Sequence, residues 1–236
     1  MRIVVTGGPD GQVLLSLLER GAAAGHDIVP LGRPELDLTG DSGAIQNAIE
    51  STRPDAIVSA AAYTAVDKAE SERDIAFAIN ASGAGAVAQA AQHLGVPIVH
   101  ISTDYVFDGS KPTAYAEDDP TDPTSVYGAS KLAGEEAVLA ASENAAILRT
   151  AWVYSPFNAN FVKTMLRLAR DREEVGVVAD QYGNPTSALD IADGILAVVA
   201  NLSASDDKSL RGVFHMSGLG EASWAEFAER IFAASS

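Results

Sequence analysis

The stretch Val4-Val5-Thr6-Gly7-Gly8-Pro9-Asp10-Gly11-Gln12-Val13 ends an apolar run beginning at Arg2 with a glycine-rich turn, then passes directly into a helical pattern. In that arrangement glycines permit a tight turn and let a pyrophosphate approach the helix N-terminus, where unpaired backbone N–H groups collect. Taken alone, the turn is about as well explained by a βα connection that binds nothing. The rest of the chain weights the reading toward a nucleotide-binding fold. Short apolar runs at 2–6, 27–31, 56–59, 98–102, 146–149 and near 174–179 alternate with helical patterns at 12–24, 42–52, 74–94, 125–142 and 160–172, with a last helix at 223–234. Such repeated βα units predict an α/β fold: a Rossmann-like, doubly wound parallel sheet with ligand sites at the carboxyl ends of its strands. Residues 1–154 are expected to form the nucleotide-binding domain and to carry the catalytic residues. Residues 155–236, where the alternation fades, are expected to form a small C-terminal substrate-covering region that returns to the sheet.

Composition narrows the function. The 236 residues are 47% hydrophobic and 20% charged, ordinary for a globular protein that buries a sizeable core. There is no cysteine, which removes disulfides, thiolate metal sites and a thiol nucleophile. A formal net charge of −16 argues against nucleic acid, whose phosphates are held by clustered Lys and Arg. A small anionic ligand needs only helix N–H groups and a few placed cations, so it stays open. No run is apolar for long enough to span a bilayer and no secretory leader precedes the first strand, so a cytoplasmic protein is expected. His26, His93, His100 and His215 lack ligand spacing, and the acidic run Glu117-Asp118-Asp119 reads as a solvated loop; no metal is expected. His100, inside a strand, reads as a satisfied core histidine.

The chemistry is carried by Tyr127 and Lys131 in Ser125-Val-Tyr127-Gly-Ala-Ser-Lys131-Leu-Ala-Gly134-Glu135. Four residues apart on a helix, a phenol and an ammonium become neighbours, and the cation is expected to lower the phenol's pKa and ease proton exchange, as reduction of a carbonyl requires. For an isolated match an ordinary amphipathic helix explains the spacing better, and the surrounding motifs reverse that. Ser102 and Thr103 end one strand, where a hydroxyl can bond both a substrate carbonyl and Tyr127. Ala61, Ala62 and Thr64 follow another strand, where small side chains let a cofactor lie close to the backbone. After the second strand no carboxylate stands where an NAD-selective site would bind ribose hydroxyls; Arg33 instead can meet a 2′-phosphate, favouring NADP(H) with NAD(H) still open. Asp37 and Leu38 lie in the run Glu35-Leu36-Asp37-Leu38-Thr39, which can edge the adenine, although Asp37 reads equally well as a simple turn residue.

These residues resemble an extended short-chain dehydrogenase/reductase, and more narrowly the dTDP-4-dehydrorhamnose reductase family. The narrower resemblance rests on Ala61-Ala62-Tyr63-Thr64-Ala65-Val66-Asp67-Lys68-Ala69-Glu70, on Ile101-Ser102-Thr103-Asp104-Tyr105-Val106-Phe107-Asp108-Gly109, on Leu148-Arg149-Thr150-Ala151-Trp152-Val153-Tyr154, and on Asp180-Gln181-Tyr182-Gly183-Asn184-Pro185-Thr186. It implies NADPH-dependent reduction at C4 of a dTDP-4-dehydro sugar. Tyr127 would be the proton donor, Lys131 would hold the nicotinamide ribose, and Thr103 would bond the sugar oxygen. Val66, Asp104, Tyr105 and Trp152 would surround the sugar; Gly7, Gly8, Gly11, Gln12, Val13, Ala61, Ala62, Thr64 and Ser102 would lie along the cofactor.

The chain departs from the family pattern at the turn, where Leu14 replaces the third glycine and is expected to crowd the helix or shift the loop. The positions where some members carry metal-binding acids fall on Leu15 or Ser16 and near Leu189, so a monomer or a metal-free homodimer is expected. Family members continue with a further C-terminal segment that helps close the substrate region. Two other readings fit the residues: a reductase for another dTDP-4-keto-6-deoxyhexose, and a non-catalytic subunit like the regulatory partner of methionine adenosyltransferase. The complete Thr103, Tyr127 and Lys131 set weighs against the second.

Overall fold

Six parallel strands in the order β2-β1-β3-β4-β5-β9 form the centre of the computed structural model, which describes residues 1–235. In chain order the first half gives β1 (Arg2–Thr6), α1 (Gln12–Ala23), β2 (Asp27–Leu31), α2 (Ser42–Ser51), β3 (Ala56–Ser59), α3 (Val66–Ala69), α4 (Arg73–Phe77), α5 (Ala84–Leu94), β4 (Ile98–Thr103), α6 (Val126–Ala141) and β5 (Ala145–Thr150). The second half gives β6 (Val153–Tyr154), α7 (Phe161–Asp171), β7 (Tyr182–Gly183), β8 (Thr186–Ser187), α8 (Ala188–Ala204), β9 (Gly212–His215), β10 (Ala222–Ser223) and α9 (Trp224–Ala234).

Because side chains alternate along a strand, the sheet feeds two cores. Val4, Ile57, Ile98 and Ile147 pack with Ile45 and Ile49 of α2, Val87 of α5 and Val138 of α6. Ile3, Val5, Val58, Val99 and Leu148 point the other way, onto Leu14 and Leu17 of α1 and Ile191 and Ile195 of α8. The inner strands β1, β3, β4 and β5 are buried on both faces, which is why they read as unbroken apolar runs. The strand order turns back between β1 and β3, and this opens a crevice at their carboxyl ends.

Three elements differ from expectation. The helix expected over 74–94 is interrupted by a π-helical stretch, Ala78–Gly83, which presents the buried Asn80. Asn80 Oδ1 accepts from Tyr63 N at 2.7 Å, and its Nδ2 donates to Tyr63 O at 3.1 Å and Ser130 Oγ at 2.9 Å, stapling the segment after β3 to α6. The strand expected near 174–179 does not form. Val175 and Val177 alternate as a strand would, but they pack on the satellite core of Met165, Ala228 and Ile231, and the sheet edge beyond β5 is taken by β9. Finally, α8 went unassigned in the sequence. It is the crossover that returns the chain to the sheet, and Ile191, Ile195 and Val199 form its buried stripe.

Candidate active site

A cavity of about 610 Å³ lies at the carboxyl ends of β1, β3, β4 and β5. Its walls hold Gly7, Gly8, Gly11, Gln12 and Val13 from the first turn, and Ala61, Ala62, Thr64 and Val66 from the segment after β3. Ser102, Thr103, Asp104 and Tyr105 enter from the end of β4, Tyr127 and Lys131 from α6, and Trp152 from beyond β5. Arg33, Asp37 and Leu38 are not brought into this wall. Arg33 lies on the surface, donating from Nη2 to Asp37 Oδ1 at 2.9 Å, and this pairing holds the Asp37 carboxyl well below the usual carboxylate range. Leu38 is buried in the core.

The turn is shaped to admit a ligand. Gly7 has φ of +150°, a conformation that L side chains rarely adopt, and the space where a Gly8 side chain would project is open. A Cβ on Gly32 would lie 2.2 Å from Gly7 O, so β2 can close against the turn only with glycine there. The Leu14 side chain, 2% exposed, packs into the core under α1 while Leu14 also borders the cavity. The N-terminus of α1 has no side-chain cap, which leaves its first N–H groups for a ligand. A strap from the second half grips this turn. Gln12 Oε1 accepts from Ser155 Oγ at 2.8 Å and from Asn160 Nδ2 at 3.0 Å, while Asn158 Nδ2 donates to Asp10 O at 3.0 Å.

Helix α6 sets the reacting groups. Ser125 Oγ caps it by accepting from Gly128 N at 3.0 Å. A Cβ on Gly128 would lie 2.1 Å from Tyr105 O, and one on Gly134 would lie 2.1 Å from Asn80 O, so these two glycines let the helix sink against its neighbours. Tyr127 is partly buried, with the Tyr105 ring edge-on at 5.6 Å. Burial pushes its phenol up to about 12, with Asp104 and Tyr105 adding to the rise and the hydrogen bond with Thr103 opposing it. This corrects the expectation of a lowered phenol. Lys131 is 2% exposed, and its ammonium donates to Ile101 O at 2.7 Å, beneath β4. Burial lowers Lys131 to about 8, with Glu135 opposing. At neutral pH the tyrosine therefore keeps its proton, as a donor must, and the lysine is still largely charged.

Several working residues escaped sequence reading. The first is Glu135: Ser102, expected beside the substrate carbonyl and along the cofactor, donates from Oγ to Glu135 Oε1 at 2.5 Å. Glu135 in turn accepts from Arg149 Nη2 at 2.7 Å, a pair with side-chain exposures of 3% and 6%. The spacing of Glu135 four residues after Lys131 was the available signal for its place. Thr150 sits opposite Thr103 in the β4–β5 register and lines the cavity, and its buried Oγ1 has no hydrogen-bond partner among the described residues. Such an orphan hydroxyl suits a polar ligand that completes it.

Trp152 takes a φ of +48° and stacks on Trp224 with ring centroids 3.6 Å apart. A Cβ on Gly183 would lie 2.5 Å from the Trp152 indole, so the wall depends on that glycine. No cluster of three or more His, Asp or Glu able to hold a metal occurs among the described residues, and no helix there is long and apolar enough to cross a membrane.

The glycine cradle, the open α1 terminus, the Lys131 ammonium and the orphan Thr150 hydroxyl fit a dinucleotide and a carbonyl substrate in one cavity. Comparison with known proteins agrees. The family described as "RmlD substrate binding domain" matches residues 1–236. A dTDP-4-dehydrorhamnose reductase of Sinorhizobium fredii is 54% identical, over 98% of this chain and 77% of its own length. A Streptomyces antibioticus protein described as a probable dTDP-4,6-dihydroxy-2-methyloxan-3-one 4-ketoreductase is 40% identical, over 98% and 76%. The crystal structure of dTDP-4-dehydrorhamnose reductase from Bacillus anthracis in complex with NADP superposes with a TM-score of 0.92 at 42% identity, covering 99% of this chain and 80% of that one.

Proposed function

Because this chain belongs to the RmlD substrate-binding-domain family, we propose that it is an NADPH-dependent oxidoreductase that reduces the C4 ketone of dTDP-4-dehydro-β-L-rhamnose to dTDP-L-rhamnose. The observation that carries this is the meeting of Thr103, Tyr127 and Lys131 in the same cavity as the glycine turn. Residues 1–154 hold the cofactor and the reacting groups, and residues 155–236 cover the substrate. When bound, the dinucleotide supplies a hydride. The chain's task is then to place the ketone and deliver a proton to its oxygen. Tyr127 gives that proton readily despite its high pKa, because an alkoxide is a much stronger base than a phenolate. Thr103 shares a hydrogen bond with Tyr127 and fixes the sugar oxygen beside it. Lys131, with Ser102 nearby, holds the nicotinamide ribose. Gly7, Gly8, Gly11, Gln12 and Val13 hold the pyrophosphate, Ala61, Ala62 and Thr64 pass beneath the dinucleotide, and Arg33 and Asp37, on the surface beyond β2, meet the adenosine end, where Arg33 selects NADP(H) over NAD(H), while Leu38 supports them from the core. Val66, Asp104, Tyr105 and Trp152 surround the sugar. The protein works in the cytoplasm as a monomer or homodimer, without nucleic acid or membrane.

A second reading has one specific support. The Streptomyces antibioticus relative is named for a different keto sugar at nearly the same coverage, so a related dTDP-4-keto-6-deoxyhexose is the competing substrate. NADPH consumption with enzymatically generated dTDP-4-dehydrorhamnose, with the product identified, separates the two. Tyr127→Phe should cut turnover on the order of 10²–10⁴-fold while leaving NADPH binding intact. Folded protein that binds NADPH yet leaves this sugar untouched overturns the proposal.

A further inference from the structure

His100 is the one fully buried histidine among the described residues, at 0% exposure, and both of its ring nitrogens are engaged. Nδ1 lies 3.0 Å from Ser59 Oγ, and Nε2 lies 3.3 Å from Lys131 Nζ. An ammonium has hydrogens to give and no lone pair, so the nitrogen facing it must be the acceptor. That fixes the tautomer: the proton is on Nδ1, donated to Ser59, and Nε2 is bare. Burial and the Lys131 charge both hold the His100 pKa well below the ordinary value, so the ring stays neutral.

We propose that His100 is a positioning residue for the reaction, a neutral Nδ1–H imidazole that orients the Lys131 ammonium toward the cofactor. Of the three hydrogens on Lys131 Nζ, Ile101 O takes one and His100 Nε2 takes a second, which leaves the third for the cavity that Lys131 lines. Without His100, one of those hydrogens would lie in a dry interior with no acceptor, a loss that favours the neutral amine or a swung side chain. Gly134 lets α6 lie close over this pair, since a Cβ there would lie 2.1 Å from Asn80 O and in ordinary contact, 3.7 Å, with His100 Nε2. The charged and titratable groups around Lys131 are Glu135 and Tyr127 on its own helix, His100 on β4, Arg149 on β5 acting through Glu135, and Asp104 and Tyr105 beside Tyr127. Among these, Glu135 is the charge that supports the ammonium and His100 the neutral acceptor that aims it.

The proposal rests on the cofactor role given above to Lys131, and it is tested in two ways that do not depend on the sugar. Long-range ¹H–¹⁵N NMR of the histidine-labelled native chain should show one ring with Nδ1 protonated, Nε2 bare and no titration between pH 6 and about 8; a His100 ring protonated on Nε2 overturns the assignment. NADPH titration should show about tenfold weaker binding for His100→Phe, with the alkaline loss of binding moved to lower pH, and near-native behaviour for His100→Gln, whose amide oxygen can accept from Lys131. A folded His100→Phe that binds NADPH within twofold of the native chain over the same pH range overturns it. If that variant does not fold, the tautomer and His100→Gln decide. Failure to reduce the sugar with these results in place refutes the substrate reading and leaves this one standing.

Discussion

Replacing Glu135 with leucine should strip a buried guanidinium of its counter-charge. Arg149 donates to Glu135 from Nε at 3.0 and 3.2 Å and from Nη2 at 2.7 Å. What would remain to Arg149 is a long contact to Glu117 O at 3.4 Å and the face of Phe107 at 5.0 Å. Removing one partner of a pair this deeply buried costs about 3–5 kcal/mol, because the survivor is left charged in a low dielectric. For a chain of this length that is a fall in Tm of roughly 10 °C. Arg149→Met should cost a similar amount by leaving the carboxylate. The double variant should recover all but about 1 kcal/mol, the share of the Ser102 hydroxyl that loses its acceptor. Urea unfolding followed by circular dichroism at pH 7 measures the cycle. If Glu135→Leu costs under about 1 kcal/mol, or if the double variant costs the sum of the singles, the two groups are not a coupled buried pair.

The folded pKa of Lys131, about 8, lies below its ordinary 10.5, so the unfolded chain binds more protons between those values and stability should rise with pH across that window. Urea unfolding at pH 7.5 and 9.5 should show this rise in the native chain and lose it in Lys131→Met, whereas NADPH binding should weaken above about pH 8. Gly183→Ala should push the Trp152 indole aside and raise the sugar KM about tenfold, with the NADPH Kd unchanged; a normal sugar KM would remove Trp152 from the substrate wall. Arg33→Ala should weaken NADPH binding about tenfold and leave NADH binding alone, and equal losses for both would deny Arg33 the 2′-phosphate.

Legibility in the sequence followed the range of the forces involved. Strands buried on both faces announce themselves as apolar runs, and so β1, β3, β4 and β5 could be placed almost to the residue. The segment at 174–179 has the same local pattern but packs on a satellite core, because pairing depends on which edge is free, and β9 takes that edge from far along the chain. Helix α8 was hidden by the short pairings before it, although its apolar spacing was present. The Tyr127 and Lys131 dyad was readable only with the glycine turn and the Ser102-Thr103 strand end beside it, since its spacing alone fits an ordinary amphipathic helix. The direction of the Tyr127 shift was not, since spacing records which charges are near and not how much water is excluded. For the same reason His100 read as inert core. Its meaning comes from Lys131 on another element, thirty-one positions later.

The chain has two tryptophans, and the fold lays them one on the other beside the cavity. Two indoles at 3.6 Å, inclined by 11°, couple their electronic transitions, so their near-ultraviolet dichroism and emission depend on their mutual tilt. One ring belongs to the loop beyond β5 and the other begins α9. Any shift of the cover relative to the sheet therefore changes an optical signal native to the molecule. The stacked pair is thus a built-in optical reporter placed on the wall of the cavity.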